Sequence, residues 1–119
     1  MFTEISFTGT PVTDIKRARA FYESILGFEP TMESAGGRWA EYDIGGSTFG
    51  IGCYGDVWKP SPDGTCVAFE ADDFDGEIAR LKSRGVKFAM DVTPTPVCKF
   101  AIICDPDDNR ILIHKRHAK

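Results

Sequence analysis

The chain has 119 residues, of which 42% are hydrophobic and 27% charged, a composition typical of one globular domain rather than of a disordered or fibrous protein. The net charge of −4, without a basic stripe, argues against nucleic acid as a partner. The longest apolar runs are too short to span a bilayer, and the N-terminal MFTEISFTG lacks the basic start and apolar core of a secretory signal. We therefore expect a cytoplasmic protein with no membrane partner.

The first half of the chain, about residues 1–59, begins with a strand, EISFTGTPV, that runs directly into a helix. In TDIKRARAFYESILGF the apolar residues recur at helical spacing and define one face: Ile15, Ala18, Phe21, Tyr22, Ile25 and Leu26. Asp14 is predicted to cap the start of this helix, and Gly27 to close it in the left-handed conformation. Two further strands, RWAEYDIG and STFGIGCY, complete this half.

The second half, about residues 65–119, repeats this order after a proline- and glycine-containing linker at about 59–64. The strand TCVAFEA leads into the helix DDFDGEIARLKSRGVKF, with Asp72 near its N-cap and Gly85 at its end. The strands KFAMDV, CKFAIIC and RILIHKR follow, and both caps are offset by 58 positions from those of the first half. The sequence therefore predicts an α+β fold within a single domain, 1–119. Two tandem βαβββ modules would form a half-open, barrel-like curved sheet with the helices outside and a cleft inside.

Two groups of residues are expected to be structural. The four cysteines form no CxxC pair, and in a cytoplasmic chain their even number does not argue for disulfides; Cys66 and Cys104 lie in apolar runs where a thiol is usually buried. The basic cluster HKRHAK at 114–119 is typical of a solvated tail.

Three segments, PVTDIKRARAFYESILGFEP, VAFEADDFDGEIARLKSRGVKF and DPDDNRILIH, resemble the vicinal oxygen chelate superfamily of glyoxalases, bleomycin-resistance proteins, fosfomycin-resistance enzymes and extradiol dioxygenases. The resemblance covers essentially the whole chain and implies the paired βαβββ fold. It also implies metal ligands at four strand positions, which here fall on Phe7, Ile51, Thr65 and Leu112. None of these side chains binds a divalent ion well, so we expect no metal and no cofactor unless this alignment is off by a residue.

Strand alternation predicts which side chains face the cleft. The predicted cleft-facing sets are Ile5, Phe7 and Gly9; Phe49, Ile51 and Cys53; Thr65, Val67 and Phe69; and Arg110, Leu112 and His114; the resemblance adds Cys98, Phe100 and Ile102. On RWAEYDIG, Ala40 and Tyr42 suit packing under the helices, which would turn Trp39, Glu41 and Asp43 to the cleft. The alternative is an exposed strand face, where acidic residues are common.

An aromatic and aliphatic lining of this kind suits a small, partly aromatic organic ligand, unless the phenylalanines simply fill the cleft as core. The predicted ligand-binding residues are Phe7, Trp39, Glu41, Phe49, Ile51, Thr65, Phe100, Leu112 and His114. Trp58, just before the linker, could cover the cleft or form an interface. The resemblance to ligand-sequestering members implies a homodimer.

Candidates for catalysis are Glu41, Cys98 and His114. Hairpin register could bring Cys98 opposite His114, where imidazolium would favour a thiolate, or leave the two residues two positions apart without contact. Alternative readings are a lyase or isomerase with an off-pattern metal set of Glu41, Cys53, Glu70 and His114, or a purely structural module with a filled cleft.

Overall fold

The chain divides in sequence into two units between Pro60 and Ser61, within the predicted linker. The computed structural model describes residues 1–117, without the side chains of residues 34 and 35. Residues 118 and 119, the end of the predicted basic tail, lie outside the described part. Within residues 1–117, no helix has the length and apolar character needed to cross a membrane.

The first unit contains four strands, one longer helical segment and two short 3-10 turns, Ala35–Gly37 and Gly55–Val57. Its elements are β1 (Thr8–Pro11), α1 (Ile15–Arg19) with a π-helical continuation (Ala20–Ile25), β2 (Pro30–Ser34), β3 (Trp39–Ile44) and β4 (Ser47–Gly52). The strand order is β1-β4-β3-β2. β1 runs parallel to β4, and the other neighbours are antiparallel.

The second unit repeats this topology. Its elements are β5 (Val67–Glu70), α2 (Phe74–Ser83), β6 (Phe88–Pro94), β7 (Cys98–Cys104) and β8 (Arg110–Arg116), and its strand order is β5-β8-β7-β6. The predicted α+β class and the two βαβββ modules are confirmed.

The helix ends follow the capping chemistry, with one correction. Asp14 accepts a hydrogen bond from the backbone N–H of Arg17 at 3.1 Å, as expected for an N-cap. In the second unit the N-cap is Asp73 rather than Asp72, because Asp73 directly precedes the first helical residue, Phe74, and its side chain accepts from the N–H of Gly76 at 3.1 Å. Both closing glycines have positive φ, 84° at Gly27 and 74° at Gly85.

Each helix buries its apolar face. In the first unit the apolar side chains buried in the helix or on the helix side of β3 and β4 are Ala18, Phe21, Tyr22, Ala40, Tyr42, Phe49 and Ile51. In the second unit they are Phe74, Ile78, Leu81, Ala101, Ile103, Ile111 and Ile113. Ring contacts join Tyr22 to Phe49, with centroids 5.3 Å apart, and to Tyr42 at 6.5 Å. The faces that carry these residues are therefore the hydrophobic cores of the two units.

The acidic turn CDPDDN fixes the start of β8. Asp105 is only 4% exposed, and its Oδ1 accepts hydrogen bonds from the backbone N–H groups of Asp107 and Asn109, both at 2.9 Å. Its Oδ2 accepts from the amide of Asn109 at 2.8 Å. Asp108 takes the left-handed conformation, φ 67°, which lets the chain reverse. The turn thereby sets which β8 side chains point to each face.

Candidate functional site

The register of β3 with β4 decides which side chains share a face in the first unit. Ala40 pairs with Ile51 and Tyr42 with Phe49, so Phe49 and Ile51 lie on the side that α1 covers. The prediction that Phe49 and Ile51 share a face with Trp39 and Glu41 is therefore wrong. The alternation along β4 is as predicted, but its two faces are exchanged: Phe49 and Ile51 face the helix, and Gly50 and Gly52 face the other side. Phe49 contacts Tyr22 of the helical segment instead.

The opposite side of this sheet, which we call the helix-free face, carries Trp39 and Glu41. Trp39 pairs with Gly52, and Glu41 pairs with Gly50. In the parallel pairing of β1 with β4, Gly9 lies opposite Gly50. The predicted division of β3 is thus observed, since Ala40 and Tyr42 are fully buried on the other side.

Three glycines form a floor on which aromatic rings lie directly against the backbone. A Cβ added at Gly50 would lie 2.7 Å from Cη2 of Trp39, and one at Gly52 would lie 2.8 Å from Cε3 of the same indole. A Cβ at Gly9 would lie 2.9 Å from Cη2 of Trp58. Carbon contacts this short do not occur, so any larger residue would push the rings off the sheet. Glycine inside a strand commonly marks such a close approach.

The rings above this floor contact one another. Phe7, just before β1, meets Trp39 edge to face, with centroids 5.3 Å apart and planes at 76°. Trp58 stacks on Trp39 at 6.3 Å and 26°. We call Phe7, Trp39 and Trp58 the aromatic platform. It contains both tryptophans of the chain, and Phe7 is 48% exposed.

Glu41 holds the platform in position. Its Oε2 accepts a hydrogen bond from the indole Nε1–H of Trp39 at 2.8 Å, which orients the ring over Gly50. Asp43, two positions along β3, lies on the same face and is exposed. The face therefore combines flat aromatic surface with carboxylate oxygens that can accept further hydrogen bonds.

On β8 the register sorts the predicted residues of the second unit. Leu112 pairs with Ile102, and His114 with Phe100, so these four share a face as predicted. Val67 and Phe69 instead pair with Ile111 and Ile113, whose side chains are buried on the helix side. The prediction that Val67 and Phe69 face the cleft is wrong because β5 is turned over relative to it. Thr65 precedes β5 and is exposed.

The helix-free face of the second sheet brings Glu70 beside His114. The two residues pair across β5 and β8, and Nδ1 of His114 lies 2.6 Å from Oε1 of Glu70. Oε2 of Glu70 accepts the backbone N–H of Arg116 at 2.8 Å. The hydrogen bond from His114, and then that from Arg116, lower the pKa of Glu70 below its usual range.

Cys98 and His114 do not pair. Cys98 lies opposite Arg116, which puts it two positions from the partner of His114. Its Sγ is instead 3.1 Å from Oγ1 of Thr95. Of the two alternatives left open by the sequence, the structure has the offset one.

The other cysteines and the basic tail bring further corrections. Cys104 is buried as predicted, and burial raises the pKa of its thiol. Cys66 is exposed, because it lies just before β5 rather than within it. His117 donates its backbone N–H to the carbonyl of Val97 at 2.9 Å, so the segment up to His117 continues the hairpin.

A metal does not fit the positions at which the resemblance implies ligands. Phe7 is part of the aromatic platform, Ile51 is fully buried on the helix side, and Leu112 has no donor atom. The off-pattern set is not assembled either: within residues 1–117, no three His, Cys, Asp or Glu side chains are grouped so that they could hold a metal ion. Cys53 of that set donates to the carbonyl of Thr13 at 3.5 Å.

Two features of these faces were missed in the sequence. The glycine floor could have been found from Gly50 and Gly52, which alternate along one strand at positions where larger residues are usual. The pairing of Glu70 with His114 had no local signal, because it depends on the parallel register of two strands 44 residues apart.

A family model described as Glyoxalase/Bleomycin resistance protein/Dioxygenase superfamily matches residues 4–113. Among solved structures, the chain is similar to TnmS3, an antibiotic binding protein from Streptomyces sp. CB03234, with 25% identity, 98% of each chain covered and a TM-score of 0.81. A glyoxalase family protein from Bacillus anthracis has 20% identity, 98% coverage of both chains and a TM-score of 0.83. The fosfomycin resistance protein FosX from Listeria monocytogenes has 18% identity, coverage of 97% of this chain and 94% of its own, and a TM-score of 0.75. No curated protein matches the chain.

Proposed function

We propose that this chain, which belongs to the glyoxalase/bleomycin resistance protein/dioxygenase superfamily, binds a small, partly aromatic organic molecule. The ligand would lie on the aromatic platform, without a metal. The observation that carries this proposal is the pair of tryptophans held flat on a glycine floor. The same face of the first sheet provides the ligand with both apolar area and hydrogen-bond acceptors.

Aromatic surface of this kind suits a flat ligand. Phe7 and Trp39 expose ring area that a planar molecule can cover by stacking or edge contact, which contributes about 0.5–1.5 kcal/mol beyond the area buried. Rings seated against backbone have little freedom to lose when a ligand arrives, so the binding surface is preorganised.

The polar part of the ligand would be recognised by the carboxylate of Glu41. One of its oxygens already accepts from Trp39, and a carboxylate can accept several hydrogen bonds. A donor group on the ligand, such as a hydroxyl or an amine, would complete the site and fix the orientation of the stacked ring.

A relative supports this function. TnmS3, which is 25% identical over 98% of this chain, is described as an antibiotic binding protein. A binding role without turnover also agrees with three of the four implied metal positions, since metal-dependent chemistry needs ligand atoms that Phe7, Ile51 and Leu112 lack.

We also propose that the protein forms a homodimer through the segment before β1. β1 and β4 are parallel, with Thr8 opposite Phe49, and β4 begins at Ser47. Residues 1–5 therefore lie before the point at which β4 could pair with them. Their apolar side chains are strongly exposed, Phe2 by 102% and Ile5 by 87%. β1 is also an edge strand, which a second copy can extend.

Light scattering tests the dimer and should give twice the chain mass. Ile5→Ser should shift the protein toward monomer. A wild-type monomer at the highest soluble concentration would refute the proposed dimer.

Intrinsic fluorescence tests the binding proposal directly, because both tryptophans of the chain belong to the platform. The protein is titrated with naphthalene and acridine derivatives that carry hydroxyl or amine groups. We expect saturable quenching by at least one of them, and at least a tenfold loss of affinity by calorimetry in Trp58→Ala. Val97→Ala, which shortens an exposed apolar side chain outside the platform, is the control and should bind as the wild type does. Absence of saturable binding, or equal affinity of Trp58→Ala and Val97→Ala, would refute the proposal.

A further inference from the structure

Glu70 and His114 lie where two parallel strands bring distant residues together. Glu70 is the last residue of β5, and His114 lies opposite it near the end of β8. Nδ1 of His114 is 2.6 Å from Oε1 of Glu70, and the side chains remain 25% and 36% exposed respectively. The pair is therefore ordered but still accessible to a small molecule.

The carboxylate determines the proton position on the imidazole. Its pKa is lowered by His114 and by the N–H of Arg116, so Glu70 is ionised at neutral pH and can only accept hydrogen bonds. Nδ1 of His114 must then carry the hydrogen of the 2.6 Å contact. In neutral His114 the free lone pair is consequently on Nε2, so Nε2 is the nitrogen that can accept a proton from a substrate.

The surroundings of the imidazole suit a proton acceptor with an apolar substrate. Phe100 lies directly opposite His114 on β7, and Leu112 precedes it by two positions on the same face. Arg116 follows by two positions on that face, where its guanidinium can stabilise a negative charge that develops when a proton is removed. On β7 and β8, the other titratable residues of this face are Cys98, Cys104 and Arg110.

We propose that Glu70 and His114 form a proton-transfer dyad in the second unit, in which Glu70 orients the imidazole and Nε2 of His114 removes a proton from an apolar O–H or activated C–H compound. Glu70 is the positioning residue, and His114 is the group that touches the substrate. The dyad needs no metal and does not rest on the binding function proposed for the first unit. The imidazolium returns its proton to water after each transfer.

A carbon acid that reports proton removal by colour tests this dyad without knowledge of the natural compound. In 5-nitrobenzisoxazole, the base takes the proton of the ring carbon, the electrons of that C–H bond form a nitrile, and the N–O bond breaks to leave a coloured phenolate. The reaction requires only a base, so oxidants, metals and cofactors are not involved. If the contact between Glu70 and His114 were purely structural, substituting either residue would leave the rate of this reaction unchanged.

The rate at neutral pH is measured for the wild type, His114→Gln, Glu70→Gln and His117→Gln, which alters the only other histidine. We expect the wild type to be at least tenfold faster than His114→Gln, Glu70→Gln to lose most of this difference, and His117→Gln to keep the full rate. Thermal unfolding confirms that the variants are folded, since both side chains of the dyad are partly exposed. Equal rates for the wild type and His114→Gln, or an undiminished rate in Glu70→Gln, would overturn the proposal.

Discussion

The substitution Gly50→Ala tests whether the platform rests on the sheet as described. The added Cβ would lie 2.7 Å from Cη2 and 3.2 Å from Cε2 of the Trp39 indole. Strand β4 cannot move away, because it is paired with β1 on one side and with β3 on the other. The indole must therefore leave its position.

The magnitude follows from what the indole would lose. Forcing an extra methyl group into a packed site costs about 1–3 kcal/mol. A displaced ring would instead forfeit its edge contact with Phe7, about 0.5–1.5 kcal/mol, and its bond to the Glu41 carboxylate, of similar size or larger. We expect the free energy of unfolding to fall by about 2 kcal/mol, which for a chain of this length lowers Tm by roughly 8 °C.

Urea and thermal unfolding, followed by circular dichroism and tryptophan fluorescence, measure this change. Gly64→Ala is the matched control, because a Cβ there would lie 3.8 Å from Cβ of Ser61, an ordinary contact. It should leave stability unchanged or slightly increased. In a Trp39→Ala background the clash is absent, so Gly50→Ala should cost much less than in the wild type.

Two results would refute the reasoning. Gly50→Ala could prove as stable as Gly64→Ala, which would mean that the indole does not rest on the glycine. Alternatively, the cost could persist undiminished in the Trp39→Ala background, which would place its origin in the backbone rather than in the platform.

Three further predictions concern other parts of the protein. Burial, and then the hydrogen bond to Glu23, raise the pKa of Tyr42. The neutral phenol therefore contributes stability that is complete below the unfolded-state pKa of about 10 and is lost at higher pH. Tyr42→Phe should flatten the fall of the unfolding free energy at alkaline pH, and equal slopes for the variant and the wild type would contradict this. Asp73→Ala should lower the unfolding free energy by about 1 kcal/mol and Asp73→Ser should recover most of it, whereas equal losses would argue against the N-cap role. The protein is purified without chelator and exposed to trace divalent ions, and mass spectrometry should then find well below one metal ion per chain. Near-stoichiometric nickel, zinc, manganese or iron would mean that residues other than those at the four implied positions bind a metal.

The repeat of capped helices was readable from the sequence because caps depend on local backbone chemistry. Asp14, Gly27 and Gly85 act within one turn of their own helix, and their positions predicted both helices and the two βαβββ modules. The error at Asp72 has the same origin. Two adjacent aspartates offer almost the same local signal, and only the observed start of the helix at Phe74 selects Asp73.

The candidate sites depended on information that alternation does not contain. A period of two determines that Phe49 and Ile51 share a face, but it does not determine which face α1 covers. The apolar side of β4, with Phe49 and Ile51, suits either a core under the helix or an apolar cleft, so the pattern alone leaves that choice open. For β3 the fully buried Tyr42 and Ala40 matched the prediction because one side of that strand is clearly apolar.

The sequence by itself therefore determined the fold class, the repeat, the helix ends to within one residue and the departure from the implied metal ligands, since each is a property of short segments or of single side chains. Only the tertiary structure decided the sites. The register of β3 with β4 placed Trp39 over Gly50, and the register of β5 with β8 placed Glu70 beside His114. Pairing between strands distant in the chain is set by the packing of the whole sheet, so no local pattern could specify these contacts.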